Sequence, residues 1–328
     1  MIGDDMEQNV PYARIDGFGP PEGFKAGWHV TRDKVALRYM SWGEGVARAR
    51  AGQCRGTLVL THGRTEFIEK YYEVIDELLS RGFAVFTFDW RGQGLSWRPL
   101  EDRFKGHVRD FGEHVEDMRE MLAEHVTPNF PGPYFSMSHS MGGHANLRIA
   151  HDLPDAFEAM IFSAPMWGIQ LGRGMILALT LAVARLNLML GRAEAYVLGG
   201  AEQGIADEPF EGNKVTNDPG RFNRCMDLLR ALPDLGLGAP TYGFFDVSMK
   251  SMGMASQADY LEAVKTPLLV VCGAQEQIVD NQKIAQMMPH LTHGELVVVP
   301  ESQHEILMEK DAARAAFWSA FDTFMTGR

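Results

Sequence analysis

Residues 134–143 read Tyr-Phe-Ser-Met-Ser-His-Ser-Met-Gly-Gly. Tyr134–Met137 predicts a β-strand, and a helix is expected after Ser140. A strand that turns sharply into a helix presents the residue at the turn beyond the sheet edge, with its side chain accessible. Gly142 is small, as such a turn requires, although Ser138 stands where the G-x-S-x-G pattern has glycine. The stretch predicts a nucleophilic serine at position 140, and the pattern alone leaves a helix-capping serine open.

Strand and helix patterns alternate on both sides of this stretch. Short apolar runs predict buried strands, and amphipathic runs predict helices between them. The predicted strands are two within 26–42, then 56–61, 83–88, 134–137, 159–163, 267–272 and 296–299, with helices over 113–125, 281–288 and 311–324 among others. This alternation predicts an α/β fold with a mostly parallel sheet and helices on both faces.

The alternation lapses between about residues 167 and 257, where the pattern is helical and rich in leucine and methionine. We therefore predict a core of residues 1–166 and 258–328 with a helical cap inserted at 167–257. The most apolar part of the cap is Gly174–Leu190. A helix of that length spans about 25 Å, whereas a bilayer core is about 30 Å thick. We predict a buried or pocket-covering helix there.

Composition narrows the class of protein. The chain has 328 residues, 45% of them hydrophobic and 23% charged, which is typical of a soluble globular protein. Its net charge of −12 and the lack of a basic block argue against binding to nucleic acid. Three cysteines do not make a disulfide framework and favour a reducing compartment. The N-terminal residues include Asp4, Asp5 and Glu7 and no apolar run, so a cytoplasmic protein is expected.

A serine hydroxyl needs a base, and the base needs an acid to orient it. His304 follows the last predicted strand, where a loop reaches the carboxyl edge of the sheet. The acid should lie between the serine and the histidine in the chain, after the 267–272 strand. Glu276 and Asp280 are both candidates there. We favour Glu276, because Asp280 stands where it would cap the next helix.

The oxyanion of a tetrahedral intermediate needs two N–H donors. We predict that one is the backbone N–H of Met141, next to the serine, and that the other is the backbone N–H of Arg64 in the loop after the 56–61 strand. The Arg64 side chain is then left to point at solvent or at a substrate head group.

Other chemistries have weaker signals. Gly92-Gln-Gly94 lacks the third glycine of a dinucleotide-binding loop. His290 and His293 have neither an HExxH motif nor a cysteine cluster with them, so no zinc site is predicted.

Eight short segments together resemble the α/β-hydrolases of the bacterial lysophospholipase and monoacylglycerol lipase group. They are THGRTEFIEKY (61–71), FDWRGQGLS (88–96), GHVRDF (106–111), SHSMGG (138–143), SAPMWGI (163–169), VTNDPGRF (215–222), APTYGF (239–244) and QHEILMEKD (303–311). The resemblance runs from about Trp28 to the C-terminus. It implies an eight-stranded α/β-hydrolase fold with a cap after the sixth strand, and neither a metal nor an organic cofactor.

The same resemblance assigns roles to individual residues. It implies a nucleophile at Ser140, a base at His304, and oxyanion donors at Arg64 and Met141. The acid falls at Glu276, where aspartate is commoner in the group.

We therefore predict a serine carboxylester hydrolase that cleaves the acyl ester of a monoacylglycerol or a lysophospholipid through a covalent acyl-enzyme. A thioesterase or short-chain esterase with the same residues stays open, as does a non-catalytic ligand-binding protein on a hydrolase-like fold.

The methionines of the cap, among them Met175, Met189 and Met226, suit an irregular apolar surface. They predict a pocket for one acyl chain, lined partly by 174–190, and ordinary cap core is the alternative. The expected partners are a lipid-like ester and, through the cap, the inner membrane surface. The sequence gives no oligomeric state.

Overall fold

An eight-stranded sheet organises the computed structural model, which describes residues 10–172, 174–200 and 207–328. The acidic N-terminal residues Asp4, Asp5 and Glu7 lie outside the described residues. The strands are β1 (Phe24–Val30), β2 (Ala36–Trp42), β3 (Gly56–Thr61), β4 (Phe83–Phe88), β5 (Tyr134–His139), β6 (Ala159–Ser163), β7 (Leu268–Gly273) and β8 (Gly294–Val299).

The order across the sheet is β1-β2-β4-β3-β5-β6-β7-β8. The first two pairs in that order are antiparallel and the remaining neighbours are parallel. The side chains of β3 to β7 are buried almost throughout, as expected for a sheet covered on both faces. This topology confirms the predicted α/β-hydrolase fold.

Helices cover both faces of the sheet. They are α1 (Glu44–Ala51), α2 (Tyr72–Ser80), α3 (Gly112–Met121), α4 (Thr127–Asn129), α5 (Ser140–Asp152), α6 (Met175–Met189), α7 (Pro219–Ala231), α8 (Tyr242–Ala255), α9 (Ala258–Ala263), α10 (Asn281–Met287) and α11 (Asp311–Phe324). Apolar residues of α2 and α11 pack in the core on one face. Those of α3, α5 and α10 pack in the core on the other.

Four helices, α6 to α9, lie between β6 and β7, so this part of the chain is helical as its sequence pattern indicates. Apolar residues of α7 pack in a third cluster together with Phe67 and Ala13, two residues from a much earlier part of the chain. The division into a core of 1–166 and 258–328 and a cap of 167–257 stays a prediction.

The predicted burial of Gly174–Leu190 is wrong. The helix forms as α6, but Ala184 is its one buried residue, whereas Met175 is 86% exposed and Met189 is 78% exposed. The helix carries apolar side chains around most of its circumference. It packs against α8, and most of its apolar side chains stay exposed or half-exposed. Within the described ranges, no helix combines the length and the apolar character needed to cross a bilayer.

A buried ionic cluster holds the loops at the carboxyl edge of β3 and β4. The Arg38 guanidinium donates to Asp89 Oδ2 at 2.8 Å and to both oxygens of Glu69, at 2.6 and 2.8 Å. Asp89 also accepts the backbone N–H groups of Ile68 and Leu95. Because all three charged side chains are fully buried, each depends on the others for its compensation.

Candidate active site

The backbone turns sharply between β5 and α5, at Ser140. The backbone of this serine has a φ of 48°, in the left-handed region that residues other than glycine adopt only under constraint. A Cβ on Gly142 would lie 2.5 Å from the carbonyl oxygen of His62, so only glycine fits there. Ser138, the departure from the glycine pattern, is buried and its hydroxyl donates to the Ile161 carbonyl at 3.3 Å. The turn therefore accepts serine at that position.

Three side chains from three loops form a hydrogen-bonded chain. His304 Nε2 lies 2.9 Å from Ser140 Oγ, and His304 Nδ1 lies 2.7 Å from Glu276 Oε2. An ionised carboxylate only accepts, so Nδ1 carries the proton and Nε2 accepts from the serine hydroxyl. Such a chain can transfer the hydroxyl proton to the imidazole. The structure thus brings together Ser140, Glu276 and His304, which follow β5, β7 and β8.

Glu276 is held as a carboxylate by its surroundings. Burial alone would raise its pKa, but hydrogen bonds from His304 and from the backbone N–H groups of Ile278 and Val279 bring the pKa below its ordinary value.

Asp280, the other acidic candidate, lies at the start of a helix. It caps α10, accepting from the backbone N–H groups of Gln282 and Lys283 at 2.9 and 3.1 Å. Of the two acidic candidates, Glu276 is the one that contacts His304.

The loop after β3 lies directly against the serine. A Cβ on Gly63 would be 3.0 Å from the Cβ of Ser140, so the residue directly before Arg64 packs against the serine. Met141 lies in the first turn of α5, where N–H groups have no partner inside the helix. Both predicted oxyanion donors therefore belong to segments that meet at Ser140.

The Arg64 side chain turns into the protein. Its Nη1 donates to the carbonyl oxygen of Gly238 at 2.8 Å, in the segment before α8. Burial lowers the pKa of Arg64 to about 10, and nearby Glu208 partly opposes that shift. The guanidinium is therefore fixed at the wall of the cleft, where Arg64 is half-buried.

A cavity of about 220 Å³ adjoins Ser140 and His304. Its apolar lining consists of Met166, Ile169, Val215, Phe244, Phe245, Ile278 and Val279, with Pro240. Among the described residues, none from 174–190 lines it, so the predicted contribution of that segment is wrong. The loops after β6 and β7, the segment at Val215 and the start of α8 provide the lining instead, and α6 packs on α8.

A buried lysine links the two loops that flank the serine, a feature that our sequence analysis missed. Lys70 Nζ lies 2.8 Å from Glu66 Oε1 and 2.6 Å from Glu305 Oε1. Glu66 Oε2 in turn accepts the N–H of Gly63 at 2.5 Å. Burial would lower the pKa of Lys70, but the two carboxylates raise it above its ordinary value. The bridge thus ties the Gly63 loop to the residue that follows His304.

The only trace of this bridge in the sequence is the spacing of Glu66 and Lys70, four residues apart. Glu305 is 235 residues further along the chain than Lys70, so no local sequence pattern predicts their contact.

The segment VTNDPGRF fastens the loop that bears His304. Asn217 Nδ2 donates to the Glu301 carbonyl and to Glu309 Oε1, both at 3.0 Å. Gln303 Nε2 donates to Asn217 Oδ1 at 2.8 Å, and the Gln303 backbone N–H donates to Glu309 Oε1, also at 2.8 Å. A segment between β6 and β7 therefore positions the imidazole.

One group of side chains in the described part of the chain has ligand atoms close enough to hold a metal ion. His29, Glu120 and Glu124 place them within 4.8 Å of one another. These residues belong to β1, α3 and the π-helical turn at Leu122–Val126. None of them is part of the hydrogen-bonded chain at Ser140.

Comparison with known proteins places the chain among hydrolases. A family model described as serine aminopeptidase, S33, matches residues 52–311. Lysophospholipase L2 of Escherichia coli K12 is 29% identical over 307 residues, covering 89% of this chain and 84% of that protein. The monoacylglycerol lipase of Mycolicibacterium smegmatis is 26% identical over 260 residues, covering 78% and 84%.

A solved structure of similar fold is that of a soluble variant of monoglyceride lipase from Saccharomyces cerevisiae, in complex with a substrate analog. It aligns with a TM-score of 0.71 at 20% identity, covering 97% of this chain and 99% of that one. At this identity the likeness shows the fold.

The turn at Ser140 predicts a sharp difference between two glycine substitutions. Gly142→Ala should prevent the turn from closing on the His62 carbonyl, so unfolding should occur at a clearly lower temperature and the Ser140–His304 contact should be lost. Gly253→Ala is the matched control, because this exposed glycine of α8 has open space around it. It should stabilise the protein by about 0.5–1 kcal/mol, since alanine favours helix. Thermal unfolding measures both, and equal melting temperatures for the two variants would contradict the argument.

Proposed function

The chain belongs to the hydrolase family described as serine aminopeptidase, S33, and on that basis we propose that it cleaves the acyl ester of a monoacylglycerol or a lysophospholipid. The observation that carries the proposal is the hydrogen-bonded chain from Ser140 through His304 to Glu276, beside an apolar cavity. The names of two relatives that each align with most of this chain, a lysophospholipase and a monoacylglycerol lipase, support the same substrates.

In the first half of the reaction, Ser140 is the nucleophile and His304 the general base. His304 Nε2 takes the hydroxyl proton as Oγ attacks the ester carbonyl carbon, and the carbonyl oxygen becomes an oxyanion. The imidazolium then gives that proton to the departing alcohol oxygen. The bond between the carbonyl carbon and this oxygen breaks, and the acyl group stays on Ser140.

In the second half, water takes the place of the alcohol. His304 accepts a proton from the water as its oxygen attacks the acyl-enzyme carbonyl, and it returns the proton to Ser140 Oγ as the fatty acid leaves. Glu276 stabilises the imidazolium at Nδ1 in both halves. Its pKa, lowered by contact with His304, keeps it charged for that purpose.

The backbone N–H groups of Met141 and Arg64 donate to the oxyanion. Their usefulness comes from being fixed before the reaction, because rigid donors need no reorganisation as charge develops. The constrained turn at Ser140 and the bridge through Lys70 provide that rigidity.

The acyl group occupies the apolar cavity. Methionine, isoleucine and phenylalanine side chains line it, and such a surface binds a hydrocarbon chain by removing both from water. A peptide substrate would leave its own polar groups unpaired against the same wall. We therefore place the acyl chain here and assign its cover, residues 167–257, to a cap that belongs to the binding site.

Helix α6 is proposed to rest on the lipid surface from which the substrate comes. Its apolar side chains Met175, Ile176, Leu179, Leu186 and Met189 are each more than half exposed. A net charge of −12 gives no general attraction to anionic lipid, so the contact relies on apolar burial.

The central experiment is labelling with a fluorophosphonate probe, followed by assay on 1-monoacylglycerol, lysophosphatidylcholine and p-nitrophenyl esters of increasing chain length. The wild type should be labelled at Ser140 and should prefer longer acyl chains, and Ser140→Ala should lose both properties. An unlabelled wild type would indicate a ligand-binding protein without catalysis. Equal rates for acetate and long-chain esters would count against the acyl site.

The acid can be tested with two carboxylate-to-amide changes. Glu276→Gln removes the charge that stabilises the imidazolium, and kcat should fall by about 10³–10⁴. Asp280→Asn keeps a side chain that caps α10 equally well, so activity should stay close to that of the wild type. Steady-state kinetics measure both. If Asp280→Asn had the larger effect, the acid would be assigned wrongly.

Membrane contact predicts that charges on α6 weaken binding to neutral phosphatidylcholine vesicles. Leu179→Glu with Leu186→Glu should lower the partition coefficient at least about tenfold, because each leucine contributes roughly 1.5–3 kcal/mol when buried. Asn223→Glu with Ala231→Glu adds the same charge at exposed positions of α7 and should leave partitioning unchanged. Vesicle sedimentation at fixed lipid concentration decides, and equal losses in the two double variants would refute the contact.

A further inference from the structure

A second cavity continues from the one at Ser140. It encloses about 440 Å³, and the two share Arg64, Thr65, Val215, Pro240, Ile278 and Glu305 as lining residues. The first cavity contains Ser140 and His304, and its wall is mostly apolar. The second carries more of the charged groups. An ester bound at Ser140 with its acyl chain in the first cavity therefore has room for its alcohol part in the second.

Most charged groups of the second cavity are already paired. Lys70 is bound between two glutamates, one of them Glu305, and Arg221 binds Glu73. Arg64 and Glu208 differ. Among the residues that the structure describes, neither has an oppositely charged group within 4.0 Å.

Arg64 and Glu208 also affect each other over a longer distance. Burial lowers the pKa of Arg64, and the carboxylate partly restores it. Partial desolvation raises the pKa of Glu208, an exposed residue, and the guanidinium acts against that shift. Arg64 is half-buried, so its uncompensated charge is costly there and an anionic ligand would relieve that cost, whereas Glu208 is exposed at the cavity, where a cation can reach its carboxylate. The cavity thus offers one site for an anion and one for a cation.

Resting on the proposed function, we infer that the second cavity binds the zwitterionic head group of a lysophospholipid, with its phosphate at Arg64 and its ammonium at Glu208. The order of groups supports this arrangement. Arg64 lines both cavities, whereas Glu208 lines only the second, further from Ser140. A lysophospholipid presents the same order, with the ester first, the phosphate next and the ammonium last.

Arginine suits a phosphate because its planar guanidinium donates two parallel hydrogen bonds. Nη1 already donates to Gly238, which leaves the other N–H groups of Arg64 for the ligand. The backbone N–H of the same residue serves the oxyanion, so the phosphate contact and the catalytic contact come from different atoms. Hydrolysis then consumes one water and releases a fatty acid and a glycerophospho-alcohol.

The test compares three substrates that share one acyl chain, short enough to keep them monomeric. Lysophosphatidylcholine has both charges, lysophosphatidylglycerol has only the phosphate, and 1-monoacylglycerol has neither. The variants are Arg64→Gln, Glu208→Gln and, as the matched control, Glu211→Gln, an exposed glutamate nearby that does not line the cavity. The readout is the ratio of kcat/KM between substrates, which cancels any general loss of catalysis.

Arg64→Gln should reduce the preference for both phospholipids over monoacylglycerol by about 10- to 100-fold, as expected for a lost hydrogen bond to a charged group. Glu208→Gln should reduce the preference for lysophosphatidylcholine over lysophosphatidylglycerol by about two- to fivefold, because only the former carries the cation and Glu208 is exposed. Glu211→Gln should leave both ratios unchanged. Circular dichroism confirms that each variant is folded.

Unchanged ratios in folded Arg64 and Glu208 variants would overturn the head-group site while leaving the proposed ester hydrolysis standing. A wild type that cleaves monoacylglycerol but neither phospholipid would have the same meaning. A wild type that cleaves none of the three would overturn the proposed function itself, together with this inference.

Discussion

The close approach of two backbone segments is the constraint on which the site depends. The loop after β3 passes so near the start of α5 that neither Gly63 nor Gly142 has room for a side chain. Ser140 adopts its left-handed conformation at this contact, and Arg64 follows Gly63 directly in the chain. Because β3 and β5 are paired neighbours in the sheet, the hydrogen bonds between them hold the two segments in register. The sheet thus sets the geometry of the site with backbone atoms.

Buried ions then attach the remaining loops to this contact. Arg38 binds Asp89, which accepts the backbone N–H of Ile68. Lys70 bridges Glu66 and Glu305. Each charge is buried, so losing one partner would leave the other uncompensated. Well-packed apolar residues in place of such a cluster often give equal stability, so the cluster is weak evidence for a stabilising role. In this protein these contacts join loops that are distant in sequence.

Local patterns predicted the fold well because its strands are buried on both faces. The runs at 56–61, 83–88 and 159–163 coincide with β3, β4 and β6. The side chains at Ser140, Glu276 and His304 could be placed from their positions after strands, since parallel strands end at one edge of the sheet. The ionic bridge through Lys70 escaped prediction because its partners have no periodic relation. The exposure of α6 escaped it too, since an apolar sequence does not reveal which surface will cover it.

The chain order of the site has a consequence for biosynthesis. Ser140 belongs to the first half of the chain. Glu276 and His304 follow the helices α6 to α9 and belong to the last part of the chain. During synthesis from the N-terminus, the six strands β1 to β6 can pair before His304 has emerged from the ribosome. A nascent chain at that stage holds the proposed nucleophile with no base beside it. Competence to attack an ester would then arise only when β7 and β8 add to the sheet, so an unfinished protein could not act on the lipids around it.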